Sequence, residues 1–286
     1  MKIIITGSSG KIGNEVLNFF IKKRIYTYGT YNKKAINKIK TKYFTPLKIN
    51  LSNNKINLPY DVNAIIHIAF KTTKINNKSS YIKNIQISRN LLNAIKNSRS
   101  IKKLVFLSAM AIYSNKNTGP VTEKVKIFNN NYYAKSKYKS EKIFNNLKNI
   151  KVYNLRIPGV LGTKNEVNFF ANLISKIKKN KKVVLYNKKN KFNNIIFINN
   201  LNNFIFKLLK NNYKSGTVIL GTSKPIFLNK IVEILKKKLK SKSKIQFKFK
   251  NEGFYINISK AVLKYNFKPL STIETIKKYL KFKKFI

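Results

Sequence analysis

The 286-residue chain carries 61 Lys and Arg against 8 Asp and Glu, which gives a formal net charge of +53 at pH 7. Hydrophobic residues make up 43% of the chain, but no apolar run approaches the roughly 20 residues that span a bilayer, so we expect no membrane partner. Cysteine is absent, which excludes a disulfide framework and a thiolate metal site, and we predict no metal.

The first predicted element is a strand over 2–6 that leads directly into a glycine-containing loop and a helix over 12–23. A tight loop between such a strand and helix aims main-chain N–H groups at an anion. Gly7 is predicted to make the sharp turn, Gly10 to admit a pyrophosphate and Gly13 to let the helix approach the sheet, which together indicate a dinucleotide site. This start contains no basic, apolar leader, which favours the cytoplasm.

Strands and helices alternate along the first half of the chain. Apolar runs predict strands over 2–6, 25–31, 43–49, 62–68, 102–108 and 150–156. Helical periodicity predicts helices over 12–23, 79–97 and 132–147. Because parallel strands need crossover connections, this order predicts an α/β fold with a doubly wound parallel Rossmann sheet.

The second half alternates helices with short strands and is predicted to form a smaller C-terminal α/β lobe that binds substrate. Helices are predicted over 166–180, 200–211, 227–240 and 271–282. Strands are predicted over 183–186, 194–198, 216–220 and 245–249. We therefore assign residues 1–162 to an NAD(P)-binding domain and residues 163–286 to the substrate lobe.

A tyrosine and a lysine on the helix predicted over 132–147 form the candidate catalytic pair. Tyr133 and Lys137 are four residues apart and share one helix face. A nearby ammonium, together with an oxidised nicotinamide, lowers a phenol pKa from about 10 towards working pH. Such a tyrosine can exchange a proton while hydride moves to or from the cofactor. Taken alone, the pair also fits an amphipathic surface helix, and the glycine loop is what favours catalysis.

With both segments in view, the chain resembles the extended short-chain dehydrogenase/reductase family, the NAD(P)-dependent epimerases, dehydratases and reductases of nucleotide sugars. Residues 6–13, TGSSGKIG, resemble the family's TGxxGxxG loop, and Tyr133 to Lys137 carry its YxxxK signature. The resemblance covers nearly the whole chain in the same order. Further matching segments lie at 65–70, 84–94, 155–162, 196–205, 216–231 and 258–270.

The resemblance implies a nucleotide-sugar substrate, a homodimer formed through the helices over 79–97 and 132–147, and a return of residues 190–212 to the nucleotide-binding domain. Tyr133 would be the acid/base, Lys137 would hold the ribose, and Ser108 is a candidate second hydroxyl. The expected cofactor contacts are Gly7, Ser9, Gly10, Lys11, Ile12, Gly13, Asn32, Lys33, Asn50, Leu51, Ala69, Tyr133, Lys137 and Pro158.

Two departures from the family pattern bear on the reaction. Ala109 stands where the family has Ser or Thr, and the adjacent Ser108 faces the other side of a regular strand. Losing one such donor typically costs about 10²–10³ in rate, so either another hydroxyl compensates or catalysis is weak. Candidate compensating donors are Ser108, Thr118 and Thr122. Met110 and Ala111 replace the acid pair of family dehydratases, which disfavours dehydration.

The end of the second strand favours NADP over NAD. NAD sites place an acid there for the ribose hydroxyls, whereas a basic residue suits a 2′-phosphate. Asn32 is followed by Lys33 and Lys34, either of which could hold a phosphate, and no acid occurs nearby. Lysine is abundant throughout, so NAD stays open. Asn50-Leu51 is expected against adenine, since Asn can accept a hydrogen bond from an amino group.

Two further residues admit alternative interpretations. His67, the one histidine, lies late in a buried predicted strand and is interpreted as structural rather than catalytic. Arg156 is assigned either to a substrate phosphate or to an internal acid.

The predicted function is an NAD(P)-dependent epimerase or keto-reductase of a nucleotide sugar. The alternative is a cofactor-binding regulatory or scaffold protein of the same fold that has lost turnover, motivated by Ala109. Polyanion binding is a third hypothesis, motivated by the net charge. Only four basic residues are arginine, the residue preferred for base and phosphate recognition. Lys, Asn, Ile, Tyr and Phe share A/T-rich codons, so we attribute the charge to genome composition and expect no specific nucleic acid.

Overall fold

The computed structural model describes residues 1–36, 39–72, 76–113, 117–128, 131–164, 166, 168–250 and 252–285. They form two compact units. The first unit comprises residues 1–112, 128–156 and 202–218, and the second unit comprises residues 113–127, 157–201 and 219–286. The chain passes between the units at 112–113, 127–128, 156–157, 201–202 and 218–219. The assignment of residues 1–162 and 190–212 to a nucleotide-binding domain stays a prediction.

The elements are numbered in chain order. The strands are β1 (Lys2–Thr6), β2 (Tyr26–Tyr31), β3 (Phe44–Lys48), β4 (Ala64–His67), β5 (Lys103–Ala109), β6 (Thr118–Val121), β7 (Lys151–Ile157), β8 (Gly159–Leu161), β9 (Val183–Tyr186), β10 (Lys191–Phe192), β11 (Ile195–Phe197), β12 (Gly216–Ile219), β13 (Ile226–Phe227), β14 (Ile245–Lys248) and β15 (Gly253–Ile256). The helices are α1 (Lys11–Lys22), α2 (Lys78–Lys96), α3 (Tyr132–Phe144), α4 (Phe169–Lys178), α5 (Ile198–Lys210), α6 (Leu228–Lys238), α7 (Ser259–Tyr265) and α8 (Thr272–Phe282).

The first unit is built on a seven-stranded, mostly parallel sheet in the order β12-β7-β5-β4-β1-β2-β3. β1 pairs in parallel with β2 on one side and with β4 on the other. Its apolar run Ile3–Ile5 is fully buried, as expected for a parallel strand covered on both faces. The chain runs outward from β1 in both directions, so the carboxyl end of β1 is a topological switch point, where doubly wound sheets bind ligands.

Helices α2 and α3 pack against each other through small polar residues. The side chains of Asn77 and Asn131 cap the two helices by accepting N–H bonds from Ser80 and Tyr133 respectively. Between the helices, the buried hydroxyls of Ser88 and Ser140 lie 2.7 Å apart. Short side chains allow close approach here, and this fixes α3 along the sheet.

The second unit combines helices with two-stranded sheets. β8 pairs in parallel with β11, β9 with β14, and β6 with β15, whereas β10 and β13 are antiparallel. No helix in the described part of the chain is long and apolar enough to cross a membrane.

The α/β fold class predicted from the sequence is confirmed. Each predicted strand and helix is present, with ends that differ by no more than three residues. Residue 167, inside the helix predicted over 166–180, lies outside the described residues. The sequence analysis missed the short elements β6, β8, β10, β13, β15 and α7.

Candidate active site

The loop after β1 is packed so tightly that two of its glycines exclude any side chain. Gly7 has a φ of +71°, and a Cβ on it would lie 2.8 Å from the Cα of Ala69. A Cβ on Gly13 would overlap the carbonyl oxygen of Gly7, which also accepts the N–H of Gly10 at 3.0 Å. The first turn of α1 therefore rests directly on the loop backbone.

The neighbouring strand β2 holds the loop in place. Ser8 donates its N–H to the carbonyl of Thr30 at 3.0 Å and its hydroxyl to the carbonyl of Ile5 at 2.7 Å. The N–H of Gly7 donates to the hydroxyl of Thr30 at 3.3 Å. These bonds fix the loop before any ligand arrives.

The N-terminus of α1 fits a pyrophosphate. Its N-cap residue, Gly10, supplies no side-chain cap, and the first turn of a helix leaves N–H groups without intrahelical acceptors. Gly10 and Lys11 are exposed, and Ser9 and Ile12 are half-buried beside them. Bare main chain, an uncapped helix end and the positive end of the helix dipole together suit a diphosphate.

The residues predicted to contact the adenosine end follow β2 and β3. Asn32, Lys33 and Lys34 are exposed, and no acid occurs between Glu15 and Asp61. A ribose-binding carboxylate of the NAD type is thus missing from the end of β2.

Asn50 and Leu51, predicted to lie against adenine, have partners within the protein. The Asn50 amide donates to the side chain of Asn53 at 2.8 Å and accepts the N–H of Ser52 at 3.1 Å. Leu51 is buried in an apolar cluster with Ile56.

The Tyr133–Lys137 pair occupies one face of α3, as its spacing predicts. Tyr133 is half-buried, and its ring meets the ring of Phe70 edge-on, with centroids 5.9 Å apart. Lys137 is buried. Its ammonium donates to the carbonyl of Leu107 at 2.5 Å and lies 3.8 Å from the ring centroid of Phe70, within cation–π range. The ammonium is 5.9 Å from the Tyr133 ring centroid.

Burial moves the two pKa values in opposite directions. It raises the pKa of the Tyr133 phenol to about 12. It lowers the pKa of Lys137 to about 7, against an opposing contribution from the nearby Glu141 carboxylate. The lowered phenol pKa expected from the sequence is not met in the protein alone, because desolvation prevails at Tyr133. At neutral pH Tyr133 keeps its proton, and Lys137 is poised between its charged and neutral forms.

Ser108 and Arg156 both bind a buried carboxylate that the sequence analysis overlooked. Glu141 Oε1 accepts the hydroxyl of Ser108 at 2.5 Å and Nε of Arg156 at 3.0 Å. Glu141 Oε2 accepts Nη2 of Arg156 at 2.7 Å. Arg156 thus binds an internal acid, one of its two interpretations. The sequence signal for Glu141 was its position one helical turn after Lys137.

The other candidate hydroxyls lie apart from this cluster in the chain. Thr118 is exposed in β6, and the Thr122 hydroxyl accepts the N–H of Lys124 at 3.3 Å. Both belong to the second unit, as does the half-buried Pro158. Ala109, at the end of β5, is buried and carries no donor.

His67 is buried beside the loop. Its Nδ1 lies 2.7 Å from the Thr6 hydroxyl, which also accepts the N–H groups of Ile68 and Ala69. The hydroxyl therefore donates to Nδ1, and the ring proton resides on Nε2, which has no hydrogen-bond partner in the described residues. Burial, and secondarily Lys137, lower the pKa of His67 to about 3. A neutral, enclosed imidazole supports the structural interpretation.

A sequence model of the NAD dependent epimerase/dehydratase family matches residues 3–221. The chain belongs to this family. The resemblance stated from the glycine loop and the YxxxK segment is thereby confirmed. In the described residues of this family member, no three His, Asp or Glu side chains gather where they could hold a metal ion.

Individual relatives span nearly the whole chain. A Methanocaldococcus jannaschii protein with the provisional name UDP-glucose 4-epimerase is 26% identical, over 91% of this chain and 90% of its own. The crystal structure of Bacillus cereus UDP-glucuronic acid 4-epimerase in complex with NAD has a TM-score of 0.80 at 18% identity, over 100% and 99% of the two chains. UDP-N-acetylglucosamine 4-epimerase from Bacillus cereus has a TM-score of 0.78 at 19% identity, over 99% of each chain. At 18% and 19% identity, the similarity to these two crystal structures shows a shared fold alone.

Proposed function

We propose that this family member is an NAD(P)-dependent epimerase or keto-reductase of a nucleotide sugar, with Tyr133 as acid/base. The observation that carries the proposal is the placement of the phosphate cradle and the Tyr133–Lys137 face in the first unit. The carboxyl ends of parallel strands share one edge of a sheet. The loop after β1, Ala69 after β4 and Leu107 near the end of β5 therefore lie along one edge.

Each residue has a defined task in this proposal. The main-chain N–H groups of Ser9 and of residues 11–13 bind the pyrophosphate, and Lys33 or Lys34 binds a 2′-phosphate, which favours NADP. Lys137 orients the ribose. A nicotinamide, when bound, supplies the hydride acceptor or donor. Tyr133, protonated at neutral pH, gives its Oη proton to a substrate carbonyl oxygen and becomes a phenolate. In the reverse direction the phenolate takes the proton of a substrate hydroxyl, and the phenol is restored.

Relatives support the substrate class. Those reported above are named for UDP-sugars, and one was crystallised with NAD. Met110 and Ala111 cannot move protons, so we propose epimerisation or reduction rather than dehydration. The proposal includes a homodimer through α2 and α3, where Ile82 is exposed, and sedimentation tests it.

The first test is Tyr133→Phe, with Tyr132→Phe as the matched control, since Tyr132 has Ser136 rather than a lysine four residues later. A panel of keto and hydroxyl nucleotide sugars is screened with both cofactors through the nicotinamide absorbance band. We expect Tyr133→Phe to lower kcat by about 10²–10⁴-fold with little change in cofactor affinity. Turnover that survives Tyr133→Phe at the wild-type rate would refute the mechanism.

A second candidate is a cofactor-binding scaffold with little turnover. Two observations favour it: Ala109 offers no donor, and the Ser108 hydroxyl is engaged by Glu141. Ala109→Ser restores a hydroxyl at the family position, and Ala111→Ser is the control. If the missing donor limits catalysis, Ala109→Ser raises kcat at least about tenfold. Equal rates in both variants would remove this explanation.

A further inference from the structure

Glu141 is a buried acid on α3 whose carboxylate is fully engaged. It accepts three hydrogen bonds, one from Ser108 and two from Arg156. The side chains of Glu141 and Arg156 are only 3% and 6% exposed. A buried charge needs both a counterion and hydrogen bonds to be tolerated, and Glu141 has both.

Lys137 and Glu141 attach α3 to two consecutive residues of β5. Lys137 donates to the carbonyl of Leu107, and one turn later Glu141 accepts the hydroxyl of Ser108. Arg156 extends the attachment to β7, the neighbour of β5 in the sheet. The Leu107 carbonyl, which accepts from Lys137, and the Ser108 hydroxyl, which donates to Glu141, are therefore fixed together at the end of β5.

We propose that Glu141 is a positioning residue for Lys137: its carboxylate, held by Arg156 and Ser108, fixes the end of β5 against α3 and keeps the buried ammonium charged. The inference rests on the proposed function, in which Lys137 holds the cofactor ribose. Glu141 itself touches neither substrate nor cofactor in this proposal.

The other groups around Lys137 do not supply this negative charge. His67 on β4 is neutral and Tyr133 on α3 keeps its proton at pH 7, because burial shifts the pKa of each in that direction. On α2, the residues that contact α3 beside Lys137, at Ser136 and Ser140, are Asn84 and Ser88, which carry no charge. Arg156 lies on β7, and the strand order β7-β5-β4 puts it on the far side of β5 from His67. Glu141 is the carboxylate that opposes the desolvation of Lys137.

Unfolding measurements test the placement without any cofactor. Burial lowers the pKa of Lys137 to about 7 in the folded protein, below the value of about 10.4 expected when unfolded. The unfolded chain then binds this proton more tightly, so stability rises with pH from about 7 upwards. Urea unfolding of wild type and Lys137→Met from pH 5 to 9 isolates this rise as the difference between the two proteins. The pH at which its slope reaches half the full value is the Lys137 midpoint, and it equals the pKa of Lys137 in the folded protein.

We expect Glu141→Gln to move that midpoint down by about one pH unit, because an attractive charge near the ammonium is lost. The midpoint of the variant is obtained from the difference between Glu141→Gln and Glu141→Gln/Lys137→Met, so that the contributions of other titrating groups cancel. Glu233→Gln is the matched control, since Glu233 is an exposed acid paired with Lys230 on α6. An unchanged midpoint in folded Glu141→Gln overturns the proposal.

A second variant covers the case in which Glu141→Gln does not fold because Arg156 is left unpaired. Glu141→Gln/Arg156→Met removes both charges, and a smaller downward shift of the midpoint is expected. No shift in this variant also overturns the proposal.

Cofactor binding separates this inference from the proposed function. In wild type, NADH and NADPH affinity should decline as pH rises past the Lys137 midpoint, and in Glu141→Gln the decline should begin about one pH unit lower. If wild type binds neither dinucleotide, the proposed function fails, while the unfolding midpoints still decide the role of Glu141.

Discussion

His67 couples the stability of the protein to acid pH. Its pKa is lowered to about 3 by burial, so below pH 6.5 the unfolded chain binds a proton that the folded protein excludes. The contribution of His67 to the unfolding free energy is therefore fully present above about pH 6.5. As the pH falls towards 3, the unfolding free energy decreases by up to about 1.4 kcal/mol per pH unit.

We predict that His67→Gln flattens this dependence between pH 5 and 7, as measured by urea unfolding. The chain has one histidine, and carboxylates titrate mainly below this range. Lys137, with a pKa of about 7, is present in both proteins, so the comparison isolates His67. Gln keeps an amide that can accept the Thr6 hydroxyl. If the unfolding free energies of wild type and His67→Gln depend on pH with the same slope between pH 5 and 7, His67 binds its proton in the folded protein as it does in the unfolded chain, which would contradict the prediction.

For individual residues, the sequence allowed a role to be predicted where the partner lies nearby in the chain. Tyr133 and Lys137 could be paired because one helical turn separates them. Glu141 could not be assigned, since its partners Ser108 and Arg156 lie 33 and 15 residues away along the chain. The direction of the phenol pKa depended on burial by aromatic neighbours, which spacing does not encode.

Among the elements, the contact between α1 and the glycine loop makes a sharp prediction. Gly13→Ala places a Cβ on the Gly7 carbonyl oxygen, so α1 must move away from β1. We expect a loss of about 1–3 kcal/mol in unfolding free energy and weakened dinucleotide binding.

Gly159→Ala is the control for this variant. Its Cβ would meet no atom closer than 3.5 Å, and we expect a change within about 0.5 kcal/mol. Urea unfolding and cofactor titration measure both variants. A Gly13→Ala protein as stable as Gly159→Ala would contradict the packing described for the loop.

Long elements were predictable because each contains its own periodic pattern. The missed strands depend on partners instead. β10 and β13 have two residues each and pair with each other in a two-stranded sheet. β6 (Thr118–Val121) contains glycine and proline, which disfavour a strand, yet it pairs along its whole length with β15. Such pairings arise from the tertiary fold and leave no local signal.

For the whole molecule, the net charge of +53 opposes compaction through self-repulsion. Screening shortens the range of this repulsion from about 30 Å at 0.01 M salt to about 8 Å at 0.15 M. We predict that KCl added from 0.01 to 0.15 M raises Tm by at least about 2–4 °C, the shift that corresponds to about 1 kcal/mol. The rise should flatten above 0.3 M, and a constant or falling Tm would show that repulsion is unimportant.

The same range of salt tests polyanion binding. Diffuse attraction of a duplex to many lysines should weaken steeply as salt rises, because counterion release drives it. Binding to DNA that persists at 0.3 M would instead indicate a selected nucleic-acid surface, contrary to our attribution of the charge to genome composition.

Burying the Lys137 ammonium lowers the stability of the folded protein, whereas the proposed binding of the cofactor ribose requires this side chain. A methionine at this position would lie among the same phenyl rings without a charge to desolvate, so natural selection for stability alone would discard the lysine. A protein that bound no dinucleotide would have no reason to retain such a liability. The buried lysine therefore favours retained cofactor binding, which the enzyme and the cofactor-binding scaffold share.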